Sequence, residues 1–327
     1  MKPRVEFGID HLIRENLSPV EGKRIGLITN HTGVTASLDW TVDVLYRHPN
    51  VRLVCLFGPE HGIRGDSQDG ISISYLTDAR TGLPVYSLYG EHYRPTSDMM
   101  RDIDTFVFDI QDVGARYYTY IATMSSCMEA AAEKGLEFVL LDRPNPINGV
   151  TVEGNVLEES FRSFVGERPI AIRYGMTMGE LARMFNEEFG INCELNVFEA
   201  EGWKRNMWYD ETGLPWVPPS PNMPSLETAI VYPGTCLVEG INVSEGRGTT
   251  RPFETIGAPW IDGFRLREKV MKESLSGVIF RAINFIPTFG KYAKETCGGI
   301  QIHVHDRNSF RPVLTGLKII KAIMDLF

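Results

Sequence analysis

The stretch LFGPEHGIRG (56–65) sets Glu60 and His61 side by side on a glycine-rich bend, directly after an apolar run. On a partly buried bend desolvation favours the protonated acid, which makes Glu60 a candidate general acid with His61 beside it. As a plain turn, Glu60 would instead bind local backbone amides or pair with Arg64. A second cluster, FDIQDVGARYYTY, carries Asp109, Gln111, Asp112, Arg116, Tyr117 and Tyr118. Carboxylates, an amide, a guanidinium and phenols suit a polyhydroxylated ligand with an anionic group; otherwise Asp109 caps a turn and the tyrosines are core. A third, LDRPNP, places Asp142, Arg143 and Asn145 on a loop stiffened by two prolines. A fourth, EGINVSEGRGTTRPFE, holds Glu239, Asn242, Glu245, Arg247 and Glu254 among glycines that allow close backbone approach. HVHD sets His303 and His305 on one face of a strand, a spacing that could hold a metal, but no third ligand is evident nearby. An edge strand is the preferred reading there.

These clusters need elements to position them. KRIGLIT (23–29), VRLVCLF (51–57), DTFVFDI (104–110) and LEFVLL (136–141) are short, nearly continuous apolar runs, the pattern of strands covered on both faces. Helix-like stretches lie between them: SLDWTVDVLYRH, and YIATMSSCMEAAAEKG with Gly135 as its C-cap. This alternation predicts βαβ crossovers and a doubly wound, mostly parallel sheet. Ligands bind outside the carboxyl ends of such strands, where the clusters at Asn30, Glu60, Asp109 and Asp142 would gather. The first strand is followed by NHTG, neither a dinucleotide fingerprint nor a P-loop. TMGELARMFNEEFG (177–190) opens with capping-box spacing at Thr177 and Glu180 and closes on Gly190. CELNVF reads as a strand and WVPPSPNMPS (216–225) as an ordered loop or linker, and 228–254 is dense in glycine and polar groups. The remainder reads as a smaller α/β unit. The division expected is 1–165 for the first domain and 166–327 for the second.

The chain has 327 residues, 43% hydrophobic and 23% charged, as in ordinary globular proteins. A net charge of −9 argues against nucleic acid as the main partner, because a phosphate backbone calls for a basic face. Five scattered cysteines without a C-x-x-C pair read as buried free thiols in a reducing compartment. The N-terminus lacks an apolar leader and no run approaches a membrane span, so a cytoplasmic location without membrane partners is the expectation. RPVLTGLKIIKAIMDLF reads as an amphipathic helix without a C-cap, which leads us to expect a native chain extending beyond Phe327.

FGPEHGIRG, VFDIQDVGARYYTY, LDRPNP, SPNMPS, YPGTCLVEGINVSEGRGTTRPFE and GAPW together resemble the NamZ-type exo-β-N-acetylmuramidases, a bacterial family, from about residue 8 onward. The resemblance implies a glycoside hydrolase with a Rossmann-like domain, a smaller auxiliary domain and an active site in a cleft between them. It implies release of terminal N-acetylmuramic acid from the non-reducing end of peptidoglycan fragments, without an organic cofactor. It makes Glu60 the expected catalytic acid, with Glu245, Asp112 and Asp142 as candidates for the second carboxyl group. Asn30, His61, Arg64, Asp109, Gln111, Arg116, Tyr117, Tyr118, Arg143, Asn145, Asn222, Glu239, Asn242 and Arg247 are the candidate substrate contacts. The lactyl carboxylate of muramic acid calls for an arginine fork, to which Arg116, Arg143 and Arg247 are suited. The segment about 226–260 is expected to return to the cleft as the wall that closes an exo-acting site. Two competing readings are a metal-dependent hydrolase using Glu60, His61, Asp109 and Asp112, and a non-catalytic sugar-binding protein.

Overall fold

A computed structural model describes residues 5–65 and 76–327. The elements run α1 (Gly8–Arg14), β1 (Arg24–Thr29), α2 (Thr41–Arg47), β2 (Arg52–Gly58), β3 (Leu76–Thr77), β4 (Pro84–Ser87), β5 (Thr105–Asp109), α3 (Tyr120–Lys134), β6 (Glu137–Leu141), α4 (Met178–Glu187), β7 (Glu194–Phe198), α5 (Leu226–Thr235), β8 (Thr255–Ala258), α6 (Gly263–Met271), β9 (Val278–Phe285), β10 (Cys297–Val304) and α7 (Pro312–Leu326). Each apolar run is a strand within a residue or two of its expected bounds. Every residue of β5 is buried, as a strand covered on both faces requires.

The larger sheet has the order β3-β4-β2-β1-β5-β6-β7. Six strands are parallel, and only the two-residue β3 runs antiparallel, against β4. The chain builds outward from β1 to β2 and β4, then returns to β5 on the other side and continues to β6 and β7. The topological switch point therefore lies between β1 and β5, where doubly wound sheets bind their ligands. Helix α4 has the expected reciprocal cap between Thr177 and Glu180, and α3 ends on Gly135 in the left-handed region. Helix α2 is shorter than its sequence pattern: Leu38 sits at φ +67° in a loop closed by an antiparallel bridge between Val34 and Trp40, and the helix starts only after it.

The chain divides into two compact units. The first takes the chain through Thr151, with Glu158–Pro169 and Gly175–Pro221. It passes the boundary expected at residue 165 because β7 pairs with β6 and so belongs to the first sheet. The second unit comprises Val152–Leu157, Ile170–Tyr174 and Asn222–Phe327. Its sheet is antiparallel throughout, in the order β8-β10-β9. Residues 226–235 form α5 with Pro233 inside it, although the sequence from 228 onward is dense in glycine and polar groups. Ser225 caps its first turn, and everything from Thr228 to Thr235 is buried. Gly234 and Gly316 let α5 and α7 touch backbone to backbone; a Cβ at Gly234 would collide with the Pro312 carbonyl. No helix among the described residues is long and apolar enough to cross a membrane.

Candidate active site

Four consecutive parallel strands, β2-β1-β5-β6, end side by side, and the polar clusters follow them onto the carboxyl edge of the sheet. Glu60 and His61 follow β2. His61 is buried and holds φ +73°, a left-handed conformation that costs a non-glycine residue about 1–2 kcal/mol. Strain of this kind persists where surrounding structure over-determines it, and it concentrates at functional sites. Glu60 is half-buried, and its Oε2 accepts a hydrogen bond from Thr119 Oγ1 at 3.0 Å. Thr119 is the N-cap residue of α3, so the carboxylate sits beside the positive end of that helix.

The Tyr120 hydroxyl donates to the Pro219 carbonyl at 2.7 Å. Its pKa is pushed well above the usual phenol value, first by burial and then by the charges of Glu60 and Asp112. The ring stacks edge-on with Tyr118, centroids 5.0 Å apart. His31, after β1, has its Nε2 2.6 Å from the Pro218 carbonyl, so that nitrogen carries the proton. Burial, the largest cause, pulls the His31 pKa below its ordinary value, and His61 adds to the effect. The proline-rich 216–221 loop is thus ordered, with two of its carbonyls held by residues at the ends of β1 and α3. Arg116 and Tyr117 are half-exposed on the same edge. Desolvation lowers the Arg116 pKa, a cost that an anionic ligand would offset.

Several expected contacts are consumed by the fold instead. Asp109 is fully buried, and its Oδ1 takes Arg143 Nε at 2.6 Å while Oδ2 takes the Thr41 hydroxyl at 2.5 Å. Arg143 also donates to the Val34 carbonyl and lies over the Phe7 ring, 4.3 Å from its centroid. The pair ties α2, β5 and β6 together beneath the edge, so neither Asp109 nor Arg143 faces a ligand. Asp142 accepts from Gly179 N, Thr177 Oγ1 and Arg143 N. It anchors the start of α4 on β6, and burial pushes its pKa up to about 6. Expected as a candidate catalytic carboxylate, Asp142 takes all three of these donors from the fold itself.

Asn145 is likewise spent on the Met176 carbonyl and Ile147 N, and Gln111 on the carbonyls of Asp112 and Pro144. Asn30 is buried, its Oδ1 holding Thr32, and Asp112 Oδ2 takes Gly114 N at 2.7 Å. Arg64 pairs with Asp78 through Nε and Nη2, both at 3.0 Å, rather than with Glu60. Thr119, Tyr120 and His31, which contact Glu60 or the 216–221 loop, were not among the expected site residues, although each lies within or beside a motif singled out above.

The second unit carries its own polar cluster. Arg247 Nη1 bridges Glu239 Oε1 at 2.6 Å and Glu245 Oε1 at 3.1 Å, and the guanidinium lies over Phe253. Glu245 is 3% exposed, and its Oε2 accepts no hydrogen bond among the described residues. Asn242 is exposed and Asn222 is buried. His303 and His305 are both exposed, and no group of three or more His, Cys, Asp or Glu among the described residues is disposed to hold a metal.

Comparison with known proteins places these observations in a family. Residues 25–227 match the family model described as exo-β-N-acetylmuramidase NamZ, N-terminal, and residues 230–327 match its C-terminal counterpart. The peptidoglycan β-N-acetylmuramidase NamZ of Bacillus subtilis is 53% identical over 326 residues, covering 100% of this chain and 79% of that one. A crystal structure of a DUF1343 family protein from Bacteroides fragilis superposes with a TM-score of 0.93 at 43% identity, over 100% of this chain and 84% of that chain. A second DUF1343 family protein from the same organism gives 0.75 at 34% identity, over 91% and 76%. The chain belongs to the NamZ exo-β-N-acetylmuramidase family.

Proposed function

We propose that this protein is an exo-acting glycoside hydrolase that releases terminal N-acetylmuramic acid from the non-reducing end of peptidoglycan fragments, with Glu60 as its general acid. The observation that carries the assignment is Glu60 itself. It is a half-buried carboxyl group on the ligand-binding edge, steadied by Thr119 and flanked by a strained histidine. Glu60 would protonate the glycosidic oxygen as the bond to the anomeric carbon breaks, and water would finally supply the hydroxyl group left on muramic acid. Arg116 is the guanidinium we assign to the lactyl carboxylate, because it is half-exposed on the carboxyl edge of the sheet, whereas Arg143 is buried against Asp109. Incubation with a defined muramyl-glucosaminyl oligosaccharide tests the reaction. Stepwise release of N-acetylmuramic acid from the non-reducing end supports it; cleavage at internal bonds, or binding without turnover, refutes it.

A further inference from the structure

A cavity of about 370 Å³ opens on the three-stranded sheet of the second unit, within the range of small-ligand pockets, about 300–1,000 Å³. Strand register sets a row of its lining: Thr255 on β8 stands opposite Gln301 on β10, and Gln301 opposite Arg281 on β9, so the three side chains share one face. None of the described residues that line it is acidic, although the whole chain carries 42 Asp and Glu against 33 Lys and Arg. Two arginines line it instead. Arg281 is exposed and has no carboxylate partner among the described residues; its Nη1 donates to Gln301 Oε1 at 3.3 Å. That contact turns the amide oxygen towards the guanidinium and leaves the two amide protons of Gln301 to donate elsewhere. Among the described residues Arg251 has one carboxylate contact, Glu254 at 3.3 Å, and its side chain is 51% exposed, so the pair is weak and most of its donors stay available. Phe264, on the same lining, is 72% exposed, a large aromatic face left in water. Arg251 and Gln301 also line a second cavity of about 510 Å³, so the two adjoin as one groove.

Guanidinium groups without strong partners, an outward amide and an open aromatic face suit a ligand that is anionic, hydroxylated and apolar on one side. An acidic pyranose has all three properties. We propose that the groove is a glycan-binding site carried wholly by the second unit, which takes an internal N-acetylmuramic acid residue of a peptide-free strand, its lactyl carboxylate on Arg281 and Arg251 and its ring against Phe264. The identity of the sugar rests on the muramidase reading given above; the acidic saccharide chemistry rests on the groove. An exo-acting enzyme meets one reactive end per strand, whereas internal residues are many. A site that holds them keeps the enzyme on the strand and raises its effective concentration of ends.

The test uses the whole chain and glycan strands stripped of peptide, immobilised by their reducing ends, with binding measured in the cold to slow turnover. Phe264→Ala and Arg281→Gln alter exposed side chains, so the melting temperature should not move. Each should weaken strand binding about tenfold, the scale of one aromatic contact or one charge-assisted hydrogen bond. Turnover of a soluble muramyl-glucosaminyl disaccharide should stay close to the parental rate in both. A polymer of N-acetylglucosamine, which lacks the lactyl carboxylate, should bind the parent about tenfold more weakly than the strands do, and Arg281→Gln should erase that difference. Unaltered strand binding in both variants, or equal binding of the neutral polymer by the parent, overturns the proposal. So does displacement of the strands by polyglutamate as readily as by free strands, which would mark a patch that reads charge alone. A fall in disaccharide turnover that matches the loss of strand binding also overturns it, because the two residues would then serve the reaction itself. If the parent releases no muramic acid while both variants still lose strand binding, the activity reading fails and the groove stands.

Discussion

Replacing Arg143 by Met separates a residue that frames the site from one that touches substrate. The side chains of Arg143 and Asp109 are 1% and 0% exposed, and Nε lies 2.6 Å from Oδ1. Met keeps the unbranched apolar stem and fills much of the volume, so the principal loss is electrostatic. Among the described residues Asp109 would retain the Thr41 hydroxyl alone, leaving a buried carboxylate that has lost its counter-charge. Breaking one side of a buried pair costs about 3–5 kcal/mol. The orphaned Val34 carbonyl adds to this, although the two losses share one guanidinium and do not simply add. At about 2–4 °C per kcal/mol for a unit of this size, melting should fall by roughly 10 °C. Urea unfolding should report the loss, and Arg143→Met/Asp109→Asn should recover part of it by removing the stranded charge. KM for a muramyl substrate, measured well below the melting point, should change little. A variant of unaltered stability with a steeply raised KM would refute the reasoning and return Arg143 to the substrate.

Asp142 predicts a pH dependence. Its pKa is raised from 3.8 to about 6, chiefly by burial, so its contribution to stability is complete below 3.8 and lost as pH rises through about 6. The full difference is about 3 kcal/mol. Asp142→Asn should abolish that portion of the dependence, and parallel curves for variant and parent between pH 4 and 7 would contradict it. Thr119→Val removes the hydroxyl that steadies Glu60 and should lower kcat by about tenfold, a net hydrogen bond being worth about 0.5–1.5 kcal/mol, with stability nearly unchanged. Gly65→Ala puts a Cβ at φ +73° against the His31 imidazole; unfolding should become easier by about 1–3 kcal/mol, and equal stability would dispute that contact.

The sheet was legible because burial on both faces leaves continuous apolar runs in the sequence. The edge was legible because each run ends in a cluster too polar to bury cheaply. Which polar residues face outward was not legible. Asp109 and Arg143 are the types that would bind a sugar acid, but they neutralise each other across 34 positions, and no local pattern records that pairing. Asp142 likewise finds its donors in Thr177 and Gly179. Helix α5 was hidden because Pro233 and Gly234 are turn residues in isolation, and burial against α7 overrides that preference. The bend at Glu60 could be read from Gly58 and Pro59, whereas the left-handed backbone of His61 could not.

The central claim is that Glu60 delivers a proton to the leaving sugar. Its most direct test compares Glu60→Gln with the parent on the muramyl-glucosaminyl disaccharide and on an aryl β-N-acetylmuraminide with an acidic leaving group. The amide keeps the size of the side chain and an oxygen that can still accept from Thr119, but has no proton to donate. Turnover of the disaccharide should fall by about 10²–10⁴-fold. The aryl substrate, whose phenolate leaves with little assistance, should lose much less, and binding of N-acetylmuramic acid should survive. A folded Glu60→Gln protein that turns over the disaccharide at nearly the parental rate, or loses the same factor on both substrates, contradicts the account.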